Sequence, residues 1–112
     1  MQECAPATAV PALGFAQDAE LFKALGDRHR LTILATLARA GRRVCVCDLN
    51  ASLPLNQPAV SHHLKVLKDA GLVTAERRGT WVHYALAPEA RERLQAALHG
   101  ILLEPALSAA RG

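Results

Sequence analysis

The chain has 112 residues, 51% of them hydrophobic, with 13 Lys and Arg against 10 Asp and Glu and a formal net charge of +3. That length holds one domain with one modest core, and part of so much apolar surface is expected to go to an oligomer interface. No apolar run is long enough to cross a membrane and the N-terminus lacks a signal-peptide layout, so the expected compartment is the cytoplasm and no membrane partner is expected. A mildly basic small domain is compatible with nucleic acid but does not by itself establish it.

Residues 1–14 are rich in Ala and Pro, carry Pro6 and Pro11, and follow no stable period. They are expected to form a flexible arm whose one chemically distinctive residue is Cys4. Over Phe15–Leu25, Ala19, Leu21, Phe22 and Leu25 share a helical face, and Gly26 ends the pattern. Asp27 is placed to cap a second helix, Arg28–Ala40, with an apolar stripe through Leu31, Ile33, Leu34, Leu37 and Ala38. Arg28, Arg30, Arg42 and Arg43 are expected at solvated helix ends.

A short helix is predicted over Val44–Leu53, because Pro54 cannot continue it. After a tight connection, Asn56 is placed to cap a helix over Gln57–Ala70 with Pro58 in its first turn. Val60, Leu64 and Leu67 form its buried stripe. Opposite lie Gln57, Ser61, His62, Lys65 and Lys68, all able to bond to base edges or phosphates. Two short helices joined this way, the second polar outside, make a helix-turn-helix. Leu72–Glu76 and Trp81–Leu86 then read as strands of a hairpin, whose tip carries Arg77, Arg78 and Gly79 and suits a phosphate backbone. Pro88 opens a last helix with Leu94, Ala97, Leu98, Ile101 and Leu102 as a wide apolar stripe. A symmetric homodimer, with the Phe15–Leu25 helix alongside, explains that stripe best.

The predicted fold is therefore mainly α with a small β-hairpin, a winged helix-turn-helix spanning 15–104. Within it the helix-turn-helix covers about 44–70, the wing about 72–86 and the dimer helix 88–104; residues 105–112 are a tail.

In a cytosolic chain three cysteines are expected as reduced thiols, and their spacing points to metal binding or redox chemistry. Cys45 and Cys47 are separated by one residue. On a regular helix they would point about 200° apart and could not converge on one ion; in a strand or a frayed first turn they could. Binding through both would then strain the first helix of the DNA-binding motif. Two buried small hydrophobes are an equally good reading of the spacing alone. A mutual disulfide looks awkward at such close spacing. Paired carboxylates, a nucleophile beside a base, and a phosphate-cradling glycine loop are all missing from the sequence, which disfavours an enzyme.

Cys45-Val46-Cys47-Asp48-Leu49, the run from Gln57-Pro58 through Val60-Ser61-His62-His63-Leu64 to Leu67, and Gly71-Leu72-Val73 occur here in order. They are followed by Arg78-Gly79-Thr80-Trp81-Val82-His83-Tyr84 and then Leu86 and Pro88, and preceded by Phe22-Lys23-Ala24-Leu25-Gly26-Asp27. The ordered set resembles the ArsR/SmtB family of winged-helix metalloregulators, closest to its arsenic-sensing branch. The resemblance implies a dimeric repressor that binds operator double-stranded DNA when metal-free and releases it when metal binds. In the arsenic sensors a third cysteine follows three positions after the second; here Asn50 stands there. The resemblance implies Cys4 as the substitute, since cadmium/lead sensors of the family also bring thiols from the N-terminal arm. The implied site is thus Cys45, Cys47 and Cys4. Three thiolates suit As(III) or Sb(III), with Pb(II) and Cd(II) as competitors and thiol oxidation as another input. The family's zinc site on the last helix is expected to be absent: His99 and Glu104 are present, but Pro88 occupies the position of the Asp. His62 is expected to face DNA and His63 to brace the motif.

Overall fold

The computed structural model describes residues 5–103. Cys4, Glu104 and the tail lie outside them. A 3-10 turn at Ala12–Phe15 leads into α1 (Ala16–Leu25), then α2 (Arg28–Ala40), β1 (Val44–Cys45), α3 (Val46–Ser52), α4 (Gln57–Asp69), β2 (Val73–Arg78), β3 (Trp81–Leu86) and α5 (Ala90–Ile101).

The capping chemistry works as the residues dictate. The Asp27 carboxylate accepts the backbone N–H groups of His29 and Arg30 at 2.8 and 3.1 Å, satisfying two of the free donors at the start of α2. Gly41 closes α2 at φ +62°, a left-handed conformation that suits glycine. The Asn56 side chain accepts the Ala59 N–H at 2.9 Å and Pro58 sits in the first turn of α4.

One element differs from expectation. The predicted helix at Val44 begins as a strand, and helix starts only at Val46. Val44 and Cys45 pair antiparallel with Tyr84 and His83, giving a three-stranded sheet of order β1-β3-β2 where a two-stranded hairpin was expected. The reason is tertiary: the outer edge of β3 has unpaired backbone groups, and pairing there satisfies them while burying Val44.

Ile33, Leu37, Leu49, Val60, Leu64, Leu67 and Leu72 are fully buried and join α2, α3 and α4 in one core. Leu31, expected in the buried stripe of α2, is instead 50% exposed. It turns away from Ile33 and lines an apolar cleft of about 270 Å³ with Leu34, Ala38, Ala90 and Leu94. On α5 only Ala90 and Ala97 are buried, while Leu98, Ile101 and Leu102 lie open to solvent. Among the described residues no helix is long and apolar enough to cross a membrane.

A candidate DNA-reading surface beside a thiol pair

Cys45 belongs to two elements at once. It ends β1 and, with extended backbone (φ −63°, ψ 139°), is the N-cap of α3. Its sulfur accepts the Cys47 N–H at 3.3 Å. The strand-to-helix junction removes the divergence a continuous helix would impose. The two Cα atoms stand 5.2 Å apart and the structure joins the sulfurs as a disulfide pair. That Cα separation lies inside the span disulfides bridge, so the pairing that the spacing argued against is open to this backbone.

Among the described residues, three side-chain atoms are buried without a hydrogen-bond partner: Arg43 Nη1, Asn50 Oδ1 and His83 Nδ1. All belong to residues near the pair: Arg43 precedes Cys45 by two, Asn50 follows Cys47 by three, and His83 is the cross-strand partner of Cys45. Among the described residues no three His, Cys, Asp or Glu side chains stand close enough together to hold an ion. The two sulfurs converge on each other and not on a third donor among these residues. The hard amide oxygen of Asn50 does not replace a thiolate. Cys4 falls outside the described residues.

The outer face of α4 presents Gln57, Ser61, His62, Lys65 and Lys68, all exposed, while Val60, Leu64 and Leu67 anchor the opposite face. Lys65 pairs with Asp69 at 3.0 Å. In the wing, Arg77 and Arg78 are exposed, and Gly79 turns the chain at φ +63°. Arg78 Nε donates to the Glu76 carboxylate at 2.7 Å, and Arg43 Nε lies 3.4 Å from the same oxygen. The Arg78 hydrogen bond, then the Arg43 charge, holds the Glu76 carboxyl below its ordinary range.

Two arginines expected at solvated helix ends prove to be structural. Arg43 ties the start of β1 to β2 through Glu76. Arg30 donates from Nε to the Ala24 carbonyl at 2.6 Å and from Nη1 to His63 Nδ1 at 3.1 Å. A guanidinium only donates, so the neutral His63 carries its proton on Nε2, which faces Asp27 at 4.0 Å. Burial lowers the His63 pKa; Asp27 opposes this and Arg30 adds to it. His63 thus braces α4 against the α1–α2 junction, as expected, while His62 stays exposed. The helical period gave no sign of Arg30 or Arg43 in these roles, because both partners come from distant elements.

The model of the bacterial regulatory protein arsR family matches residues 27–75, from the cap of α2 through the motif into β2. Over 76 residues the chain is 42% identical to the arsenical resistance operon repressor of Escherichia coli, an alignment covering 68% of this chain and 64% of that protein. The homodimeric winged helix-turn-helix DNA-binding domain from Mycobacterium bovis superposes with a TM-score of 0.65 at 34% identity, covering 80% of this chain and 82% of that one. The chain belongs to the ArsR family. The part that matches the model of these bacterial regulatory proteins is the helix-turn-helix and its flanks. A further ArsR-family relative, the arsenic resistance transcriptional regulator ArsR1 of Pseudomonas putida, is 40% identical over 82 residues, 73% of this chain and 63% of that protein. The chain thus spans just under two thirds of these two curated relatives. The Asp-x-His pattern expected of a zinc site on the last helix is missing here, with Pro88 exposed ahead of α5 and His99 exposed upon it.

Proposed function

We propose that this chain is a metalloid-responsive repressor that holds operator DNA when ligand-free and dissociates when As(III) or Sb(III) binds its cysteine thiolates. The observation that carries this reading is the convergence of Cys45 and Cys47, a thiol pair once reduced, at the head of α3, the first helix of the helix-turn-helix. The names of the Escherichia coli and Pseudomonas putida relatives support arsenic as the inducer. Pb(II) and Cd(II) are the competing inducers, and a relative named as a repressor SmtB homolog keeps metals other than arsenic in view.

A bound metalloid supplies a thiophilic centre that takes three sulfurs, from Cys45, Cys47 and the Cys4 of the arm at 1–14. Engaging Cys45 draws on the sulfur that caps α3 and on the strand residue paired with His83. Both α3, which supports α4, and β3, which carries the wing, are thereby linked to the site. In the domain at 15–104, Gln57, Ser61 and His62 read base edges, Lys65 and Lys68 hold phosphates, and Arg77 and Arg78 reach from the wing. Lys65 and Arg78 exchange Asp69 and Glu76 for phosphate, at small cost because those pairs are solvent-exposed. A homodimer through α1 and α5 places two α4 helices in successive major grooves of a palindromic operator.

The test is operator release measured against arsenite, antimonite, Pb(II), Cd(II), Zn(II) and peroxide, for wild type, Cys4→Ser and the Cys45→Ser/Cys47→Ser double variant. Release by arsenite or antimonite, lost in both variants, is expected. A double variant that still responds normally sinks the thiol-site reading, and a Cys4→Ser protein that responds like wild type removes the arm from the ligand set.

A second reading has its own support in the 5.2 Å Cα separation and joined sulfurs of Cys45 and Cys47. Here the two thiols give two electrons and two protons to hydrogen peroxide, forming the disulfide and two waters. Release by peroxide alone, reversed by a dithiol, would favour it.

A further inference from the structure

We propose that Arg93 is a positioning residue that sets the angle between the dimer helix and the DNA-reading helix, and with it the operator half-site spacing the dimer accepts. This rests on the dimeric DNA-binding reading above. Arg93 lies in the first turn of α5, and its Nη1 donates to the carbonyl oxygens of both Ala70 and Gly71 at 3.0 Å. Those carbonyls close the C-terminal end of α4. The end of a helix leaves carbonyls without intrahelical donors and carries partial negative charge, so a guanidinium satisfies both needs. The neighbouring end groups are already paired within the chain: the N–H groups of Ala70, Gly71 and Leu72 donate to Val66, Lys68 and Leu67.

Gly71 makes the contact sterically available. Its φ is +78°, and a Cβ there would stand 2.6 Å from Arg93 Nη1. The guanidinium thus occupies the space a side chain would take.

The rest of the α5 attachment is weakly keyed. Its buried residues are Ala90 and Ala97, two methyl groups that interlock little with their neighbours, and Leu94 packs against the core only in part. On the α2 side an apolar cleft remains between Leu31 and Leu94. Arg93 also lines clefts with Gln17, Asp18 and Leu21, so it stands where α1, α4 and α5 meet. Two hydrogen bonds from one planar group are directional where methyl contacts are not. They are also solvent-exposed, so they constrain orientation more than they add stability. In a dimer built on α5, each Arg93 stands between the partner-facing helix and the helix in the groove. One inserted base pair between half-sites rotates one of them by about 35° and moves it by about 3.4 Å, a change only a rigid α4–α5 angle would detect.

The experiment uses the full chain as wild type, Arg93→Gln and Arg93→Lys. An operator is selected by wild type from random duplexes, and its half-site spacing is then changed by one base pair in each direction. Wild type is expected to lose about tenfold in affinity on either change, and Arg93→Gln about threefold or less, with dimerisation and melting temperature close to wild type. Arg93→Lys, a single-point donor, should fall between them. The proposal is overturned if Arg93→Gln keeps the wild-type spacing discrimination. It is equally overturned if that variant loses affinity by one factor at every spacing, which is the mark of a purely structural role. A wild-type protein that is monomeric or blind to spacing would instead overturn the dimeric reading, and this proposal with it.

Discussion

His63 shows how one side chain can tie folding to pH. Its Nδ1 accepts from Arg30, its Nε2 faces Asp27, and burial keeps it below its ordinary value of 6.5. In the unfolded chain it titrates at that ordinary value. Its contribution is therefore complete above pH 6.5. As the pH falls below that, the unfolded chain takes up a proton that the folded chain resists, and stability declines until the folded pKa is passed. Chemical unfolding across this window is expected to show that slope in wild type and a flatter one in His63→Gln. Asp27 and Glu76, held below their ordinary values by backbone and arginine hydrogen bonds, lose their contributions only at lower pH. Asn56→Ala removes the cap of α4 and should cost about 1 kcal/mol in the same assay. The caps at Asp27 and Asn56 and the turn at Gly41 were all legible in the sequence, because capping is set by residues within one turn. Arg30 and Arg43 were not, because each finds its partner across a distance no local pattern encodes.

At the scale of elements, the function proposed here divides recognition between α4 and the wing. Gln57→Ala or His62→Ala should relax sequence preference while leaving overall affinity for random DNA intact; unchanged preference in both removes them as base readers. Arg78→Ala should weaken binding to every sequence and lower the slope of log affinity against log salt by about one. A filter-binding series over salt separates the two behaviours. Helices α1, α2, α4 and α5 were readable from their apolar periods, α3 only from the proline that stops it, and the hairpin from its alternation. Arg77 and Arg78, expected at the hairpin tip, instead pair within β2 and leave only Gly79 and Thr80 to turn. β1 was not readable. Two residues are too few to show a strand period, and Val44–Cys45 reads equally well as the start of a helix until β3 is there to pair with it. The candidate site shared this fate: Cys45 and Cys47 stood out by type and spacing, whereas their convergence depended on a strand the sequence did not announce.

For the whole molecule, the open stripe on α5 is the largest consequence of the fold. Leu98, Ile101 and Leu102 are 48%, 45% and 69% exposed on a helix anchored by two alanines. Leu98→Glu is expected to leave the monomer folded by circular dichroism, shift sedimentation to the monomer, and cut operator affinity by about a hundredfold or more, since both half-sites must then be bound independently. A Leu98→Glu protein that stays dimeric would place the interface elsewhere.

The sulfur of Cys45 has a consequence for how sensitive such a regulator can be. It accepts the backbone N–H that begins α3, and on the function proposed here it also binds the inducer, so helix and inducer compete for the same lone pairs. The dose at which the operator is released then depends on how strongly residues 46–52 favour a helix, even at positions that never touch the ligand. Exposed substitutions there that raise helix propensity should move the response to higher inducer concentrations, and those that lower it should make the gene respond sooner. The set-point is thus adjustable by ordinary surface variation, without altering either the chemistry of capture or the reading of DNA.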